Sequence, residues 1–324
     1  MGNRREFLAL AACVAALPSF AATPSAPRRI GWLTAQQVAS LAPYLDALSQ
    51  GLAEYDLVPG QTLEILARYG DDDISRVPAL ARDLVGSGVE LLIVQGAAVS
   101  EALRLQLPVP MVFVTSADPV AAGFAKSLAQ PSGNCTGVTF MAFELLGKRL
   151  ELLKEIVPRL NSVTVLGNPL HPGSDTERAA SEEAGHRLGI EVDYISMPNS
   201  DAITAARATL GRTRPDAISL LADGFAIAHR KAIMAMTNDL GIPVISGWPA
   251  FAEAGALCTY GPHLPAVYRR VAFFVTRILA GAKPGELPVE RPTQFELVLN
   301  QSAARSFHLQ FSRAILARAD KVIE

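Results

Sequence analysis

The residues able to do chemistry in this chain stand where its apolar runs end. Ile30 to Leu33 gives way to Thr34 and Gln36, Glu90 to Val94 to Gly96 and Ala97, and Met111 to Val114 to Ser116 and Asp118. Later runs finish with Thr139, with Asn168, with Asp223 and Phe225, and with Gly247 and Trp248. These are hydrogen-bonding, small or aromatic groups, a set suited to holding a small molecule. Backbone N–H groups at Gly96 to Ala98, where a helix opens, would suit a carboxylate through unpaired donors and the helix dipole. Asp223 could accept from an ammonium, and Phe225 or Trp248 could stack on a flat or apolar body. Together they fit an amino acid or a small aromatic carboxylate. Each also has a local alternative: Asp118 before Pro119 and Asp223 before Gly224 can cap the next turn or helix, Asn168-Pro169 can be only a turn, and Trp248 can close the core.

Other chemistries lack their signatures. There is no GxSxG nucleophile elbow, no GxxxxGK[ST] phosphate loop and no HExxH zinc helix, so no enzyme, catalytic residue, metal or cofactor is expected. His171, His186, His229, His263 and His308 are dispersed, and His229 beside Arg230 and Lys231 reads as a solvated helix face. Cys135 and Cys258 show no CxxC spacing; they are two buried small side chains, or a bridge near two lobe crossings. A net charge of -2 with scattered Lys and Arg leaves no footprint for nucleic acid.

The first residues read as a targeting segment. Arg4 and Arg5 precede an apolar stretch, Phe7 to Leu17, and Ser19-Phe20-Ala21 offers a cleavage site, so residues 1–21 are expected to direct export to the periplasm. Arg4, Arg5, Glu6, Phe7 and Leu8 resemble a twin-arginine signal. Leu10-Ala11-Ala12-Cys13 offers the competing reading of a lipoprotein, lipid-anchored at Cys13. No stretch is long and apolar enough for a membrane span.

Elements that could position these residues alternate along the remaining chain. Strand-like runs at Ile30–Leu33, Leu63–Tyr69, Glu90–Val94 and Met111–Val114 are separated by segments with helical spacing, which reads as a doubly wound parallel sheet with ligands at the strands' carboxyl ends. The pattern restarts after Gly137. A helix over Phe143–Val157 leads to strands at Val163–Leu166, Glu191–Ile195, Ala217–Leu221, Pro243–Ile245 and Leu257–Tyr260, with one helix expected over Phe225–Leu240 and another over Leu264–Leu279. Half the residues are apolar, enough for two cores.

Several spaced motifs carry a family resemblance. They are Asp118-Pro119-Val120, Gly133-Asn134 with Thr136-Gly137-Val138-Thr139, Gly147-Lys148-Arg149-Leu150-Glu151, Asn168-Pro169, Ala228-His229-Arg230, Tyr260-Gly261-Pro262 and Gly281-Ala282-Lys283-Pro284. The chain resembles ABC-transporter substrate-binding proteins of the tryptophan- and tyrosine-binding group, on the type I periplasmic-binding fold. The resemblance implies two lobes joined by three crossings, with residues 28–137 plus 262–287 in the amino-terminal lobe and 138–261 plus 288–324 in the other. It also implies a monomer that closes on a small-molecule ligand and presents it to an ABC permease with its ATPase; a sensory system's ligand-binding subunit would use the same cleft. Gln95-Gly96-Ala97 departs from the group's commoner Gly-Thr or Gly-Ser, so a hydroxyl contact is lost there.

Overall fold

The computed structural model describes residues 26–38, 42–221 and 223–324, so the export segment read at residues 1–21 lies outside the described residues. The first sheet grows from β1 (Arg28–Thr34), α1 (Ala42–Ala53), β2 (Leu63–Tyr69), α2 (Val77–Gly86), β3 (Leu91–Gln95), α3 (Ala98–Arg104) and β4 (Met111–Thr115). A hairpin of β5 (Ala125–Ser127) and β6 (Gln130–Pro131) precedes its last strand, β7 (Cys135–Thr139). Strand order is β2-β1-β3-β4-β7, all parallel. Strands β3 and β4 are buried along their whole length, which is why their sequences run apolar without alternation.

The second sheet repeats the scheme. It takes α4 (Leu146–Ile156), β8 (Ser162–Gly167), α5 (Ser174–Leu188), β9 (Glu191–Ser196), α6 (Ser200–Thr213), β10 (Ala217–Leu220), α7 (Gly224–Ala228), α8 (Arg230–Asp239), β11 (Val244–Ser246), α9 (Pro249–Glu253) and β12 (Cys258–Pro262). The chain then returns to the first unit as α10 (Leu264–Leu279) before adding β13 (Phe295–Asn300) and β14 (Lys321–Ile323) to the second. The order is β14-β13-β12-β11-β10-β8-β9. Two doubly wound α/β units result, the expected fold class, with one antiparallel pair within the two main sheets, β12–β13, where the returning chain enters from the opposite end.

Three passages therefore join the units. Before the first, β7 runs on to Thr139, because Val138 and Thr139 still pair with Val114 and Thr115. Its exit is braced by the third passage, where Glu290 N–H donates to Gly137 O (3.0 Å) and Thr139 N–H to Glu290 O (3.0 Å). Helix α10 belongs to the first unit because it lies on α1. Their contact is so close that a Cβ at Gly51 would stand 2.9 Å from Arg269 Cα, and Tyr44 stacks on Tyr268 with ring centroids 5.1 Å apart.

One expectation is corrected and one pair of alternatives is decided. Phe225–Leu240 is two helices that meet at His229, where the Arg230 guanidinium donates to Ile227 O (2.8 Å) and takes a carbonyl that a continuing helix would use. Cys135 and Cys258 are free and buried in separate cores, one against Phe113 and Phe124, the other against Ile245 and Leu299, so the bridged reading fails.

Candidate ligand-binding cleft

A cleft lies between the carboxyl ends of the two sheets, the place where doubly wound folds leave their strand-end loops free. The first unit contributes Gln36 beyond β1, Asp72 and Ile74 beyond β2, Gln95 to Ala97 at the end of β3 and Ser116 beyond β4. The second contributes Asn168, Leu170 and His171 beyond β8, Pro198 beyond β9, Asp223 to Phe225 beyond β10 and Trp248 beyond β11. Phe140, just past β7, closes the hinge end and meets Trp248 edge-on at 6.3 Å between centroids. The cavity of about 120 Å³ is of the order of one that holds a single aromatic ring, the scale of a small molecule.

Of the sequence-derived candidates, Gln36, Gly96, Ala97, Ser116, Asn168, Asp223, Phe225 and Trp248 come together on this cleft. Thr34, Asp118, Thr139 and Gly247 are not among its lining residues. The Thr34 hydroxyl accepts from Gln36 N–H (3.2 Å) and so shapes the turn behind Gln36. Asp118 accepts from Val120 and Ala121 N–H (2.8 and 3.3 Å), the turn-capping alternative. Thr139 donates to Ala117 O (2.7 Å), tying two loops together. Gly247 lies under the floor, where a Cβ would stand 2.4 Å from the Arg149 guanidinium.

Asp223 combines both of its alternatives. One carboxylate oxygen caps α7 by accepting from Ala226 N–H (2.7 Å), while the residue, 7 % exposed, also lines the cavity. Burial pushes its pKa up to about 6, with hydrogen bonds from Ala226, Asn168 and Phe225 pulling the other way. Asn168 behaves likewise, accepting from Leu170 N–H (3.0 Å) across the turn and facing the cleft. Behind them the second unit buries Glu177 and Arg149. Glu177 Oε1 has no partner among the described residues, and burial raises its pKa to about 8, Arg149 opposing. The Arg149 guanidinium, its own pKa lowered to about 10 by burial, donates to Tyr260 O (2.9 Å).

Sequence reasoning set His171 aside, yet it crosses the cleft. Its Nε2 lies 2.7 Å from Ser116 Oγ, joining the two units. The polarity of that bond follows from the ring's other nitrogen: Gly173 N–H donates to Nδ1 (3.1 Å), so in the neutral ring Nε2 carries the hydrogen and donates to Ser116. Burial keeps the ring neutral by lowering its pKa to about 4. A nucleophilic serine needs the reverse, a nitrogen that takes its proton. Ser116 is instead an acceptor towards His171, and its hydroxyl hydrogen is free to meet a ligand. Gln95, Asp72 and Phe140 were also unpredicted.

The sequence pattern of the ABC transporter substrate binding protein family matches residues 37–323. The chain belongs to this family. As a substrate-binding protein it resembles the tyrosine-binding protein of Clostridioides difficile (strain R20291), 21% identical over 274 residues, 83% of this chain and 78% of the relative. Solved structures share its fold. A conserved domain protein from Vibrio cholerae O1 biovar El Tor superposes with a TM-score of 0.86 at 24% identity, covering 92% of this chain and 100% of that one. The ABC domain from Streptococcus pneumonia in complex with L-Trp gives 0.84 at 21% identity, with the same coverage. The ligand-free, open form of a Clostridium difficile substrate binding protein gives 0.67 at 18% identity, covering 91% of this chain and 99% of that one. Structural neighbours of this substrate-binding protein have the type I periplasmic-binding fold.

Proposed function

We propose that this substrate-binding protein is the periplasmic receptor of an ABC importer, closing its two lobes on an amino acid with an aromatic or apolar side chain. The observation that carries the reading is the company Asp223 keeps. A buried carboxylate shares a small cavity with Phe140, Phe225 and Trp248, so one end of the ligand meets charge and the other an aromatic wall. The tyrosine-binding relative and the L-Trp complex support the same ligand class. Lobe closure is supported by contacts made only when the units meet: Ser116 on His171, and Gln36 so close to Gly224 that a Cβ there would lie 2.1 Å from its amide nitrogen.

A receptor delivers its ligand unchanged to a permease driven by an ATPase. The direction of the His171–Ser116 hydrogen bond supports this reading over a hydrolytic one, since it leaves no base for the serine. No helix of the described residues is long and apolar enough to cross a membrane. A thermal-shift screen of the amino acids tests the proposal, because a ligand at a hundred times its Kd adds about 2.7 kcal/mol. Stabilisation by tyrosine, tryptophan or phenylalanine is expected. If no amino acid moves the melting temperature while a chromogenic ester is hydrolysed, the receptor reading is wrong.

A further inference from the structure

The polar groups of the cleft are unbalanced. Gln36 and Gln95, 6 % and 3 % exposed, both line the cavity, and the Oε1 of each lacks a hydrogen-bond partner among the described residues. A buried acceptor left unpaired is costly, so two of them on residues that line one small space call for a donor from the ligand. The charges lean the same way. Asp223 lines the floor and Asp72 the mouth, whereas no Arg or Lys is among the described lining residues. His171 is occupied by Ser116 and Gly173.

A carboxylate finds only neutral donors here. These include the Ser116 hydroxyl, the side-chain amide N–H groups of Gln36 and Gln95, and the N–H groups of the turn at Gly96 to Ala98, where Gly96 N–H is already taken by Val114 O (2.8 Å) and Ala97 offers no hydroxyl. Helix α3 behind that turn spans only Ala98–Arg104, too short to bring a strong dipole. A bare aromatic acid would enter a cavity that already holds a buried carboxylate and has no cation to meet it.

We infer that the ligand's ammonium is the group this cleft requires, seated among Asp223 and the amide oxygens of Gln36 and Gln95, and that primary arylalkylamines without a carboxylate are therefore also ligands. The inference rests on the receptor reading above and narrows it: of the two classes offered by the sequence, the amine-bearing one is selected. An ammonium, with three donors, can satisfy both amide oxygens and the carboxylate together.

The test is a matched set of three probes, titrated calorimetrically into the purified chain: tryptophan, tryptamine and indole-3-propionate, with tyrosine, tyramine and 3-(4-hydroxyphenyl)propionate as a second set. Losing the carboxylate removes neutral hydrogen bonds, so the amine is expected to bind within about tenfold of the amino acid. Losing the ammonium strands buried acceptors and a carboxylate, so the propionate is expected to bind about a hundredfold more weakly or not at all. Asp223→Asn, which keeps an N-cap side chain, should weaken the amine and the amino acid together. If the amino acid and the propionate bind alike while the amine does not, the ammonium inference is overturned and the receptor reading stands. If none of the probes binds, both fall.

Discussion

Asp223→Asn separates the charge of a buried carboxylate from its role as a cap. Asparagine caps helices as well as aspartate does, so the bond to Ala226 N–H survives and only the charge is lost. The magnitude follows from the carboxyl's displacement from 3.8 to about 6. At about 1.36 kcal/mol per unit, holding Asp223 ionised in the closed conformation costs about 3 kcal/mol, an upper bound for an unliganded protein that opens. The sign is opposite to that of a salt-bridged carboxylate. Between pH 3.8 and about 6 the folded state holds a proton that the unfolded state has released, so stability falls as pH rises through this window and is level above it. The variant should therefore melt higher than the wild type at pH 7.5, by up to about 3 kcal/mol, and the gain should vanish below about pH 3.8. Differential scanning calorimetry at a series of pH values, without ligand, reads both the gain and its disappearance. A variant less stable than the wild type by the same amount at pH 7.5 and pH 3.5 would refute the reasoning, because geometry at the cap would then outweigh charge.

Other outcomes follow from neighbouring groups. Glu177→Gln should also stabilise the unliganded protein at neutral pH, with the gain lost as pH falls from about 8 through 4.5; a melting series checks this, and it should add imperfectly to Asp223→Asn because the two carboxylates repel. Closing the cleft takes His171 from an ordinary imidazole to one held neutral, so ligand affinity should decline as pH drops from 6.5 towards 4; a His171→Gln variant should lose that part of a calorimetric pH profile. Ser116→Ala, which removes the latch and a ligand donor together, should weaken binding about tenfold while leaving the unliganded melting temperature nearly unchanged. Both cysteines should resist thiol reagents in the native protein and titrate as two free thiols in denaturant.

Much of the fold was legible because strand burial leaves a direct mark. Leu91 to Val94 and Met111 to Val114 are apolar throughout, as buried parallel strands must be, and polar residues after them fall in loops at the sheet's carboxyl edge. Shorter elements were not legible: α9 and β14 are too brief for any period to show. In the cleft, position after a strand located Gln36, Ser116, Asp223 and Trp248, but it could not decide direction. Asp118 and Thr139 stand equally near strand ends and spend their oxygens on local N–H groups. Gln95, read only as the start of the turn Gln95-Gly96-Ala97, is the last residue of β3, and His171 was passed over because the path of the loop beyond Asn168 is set by the opposite lobe. Sequence periodicity carries no information about a contact between loops of two separate sheets.

The packing of α10 on α1 has a consequence for how the chain is made. The first sheet can assemble its strands once residue 139 has emerged, yet one face of it, with Trp32 against Tyr268, is covered only in part by α1 until residues 264–279 arrive. Those residues come only after nearly all of the second sheet. The amino-terminal unit thus depends on a distant segment for its lid of apolar side chains, a high-contact-order arrangement that slows folding. During synthesis this face offers a standing surface to chaperones, and a fragment ending at Thr139 should aggregate instead of folding.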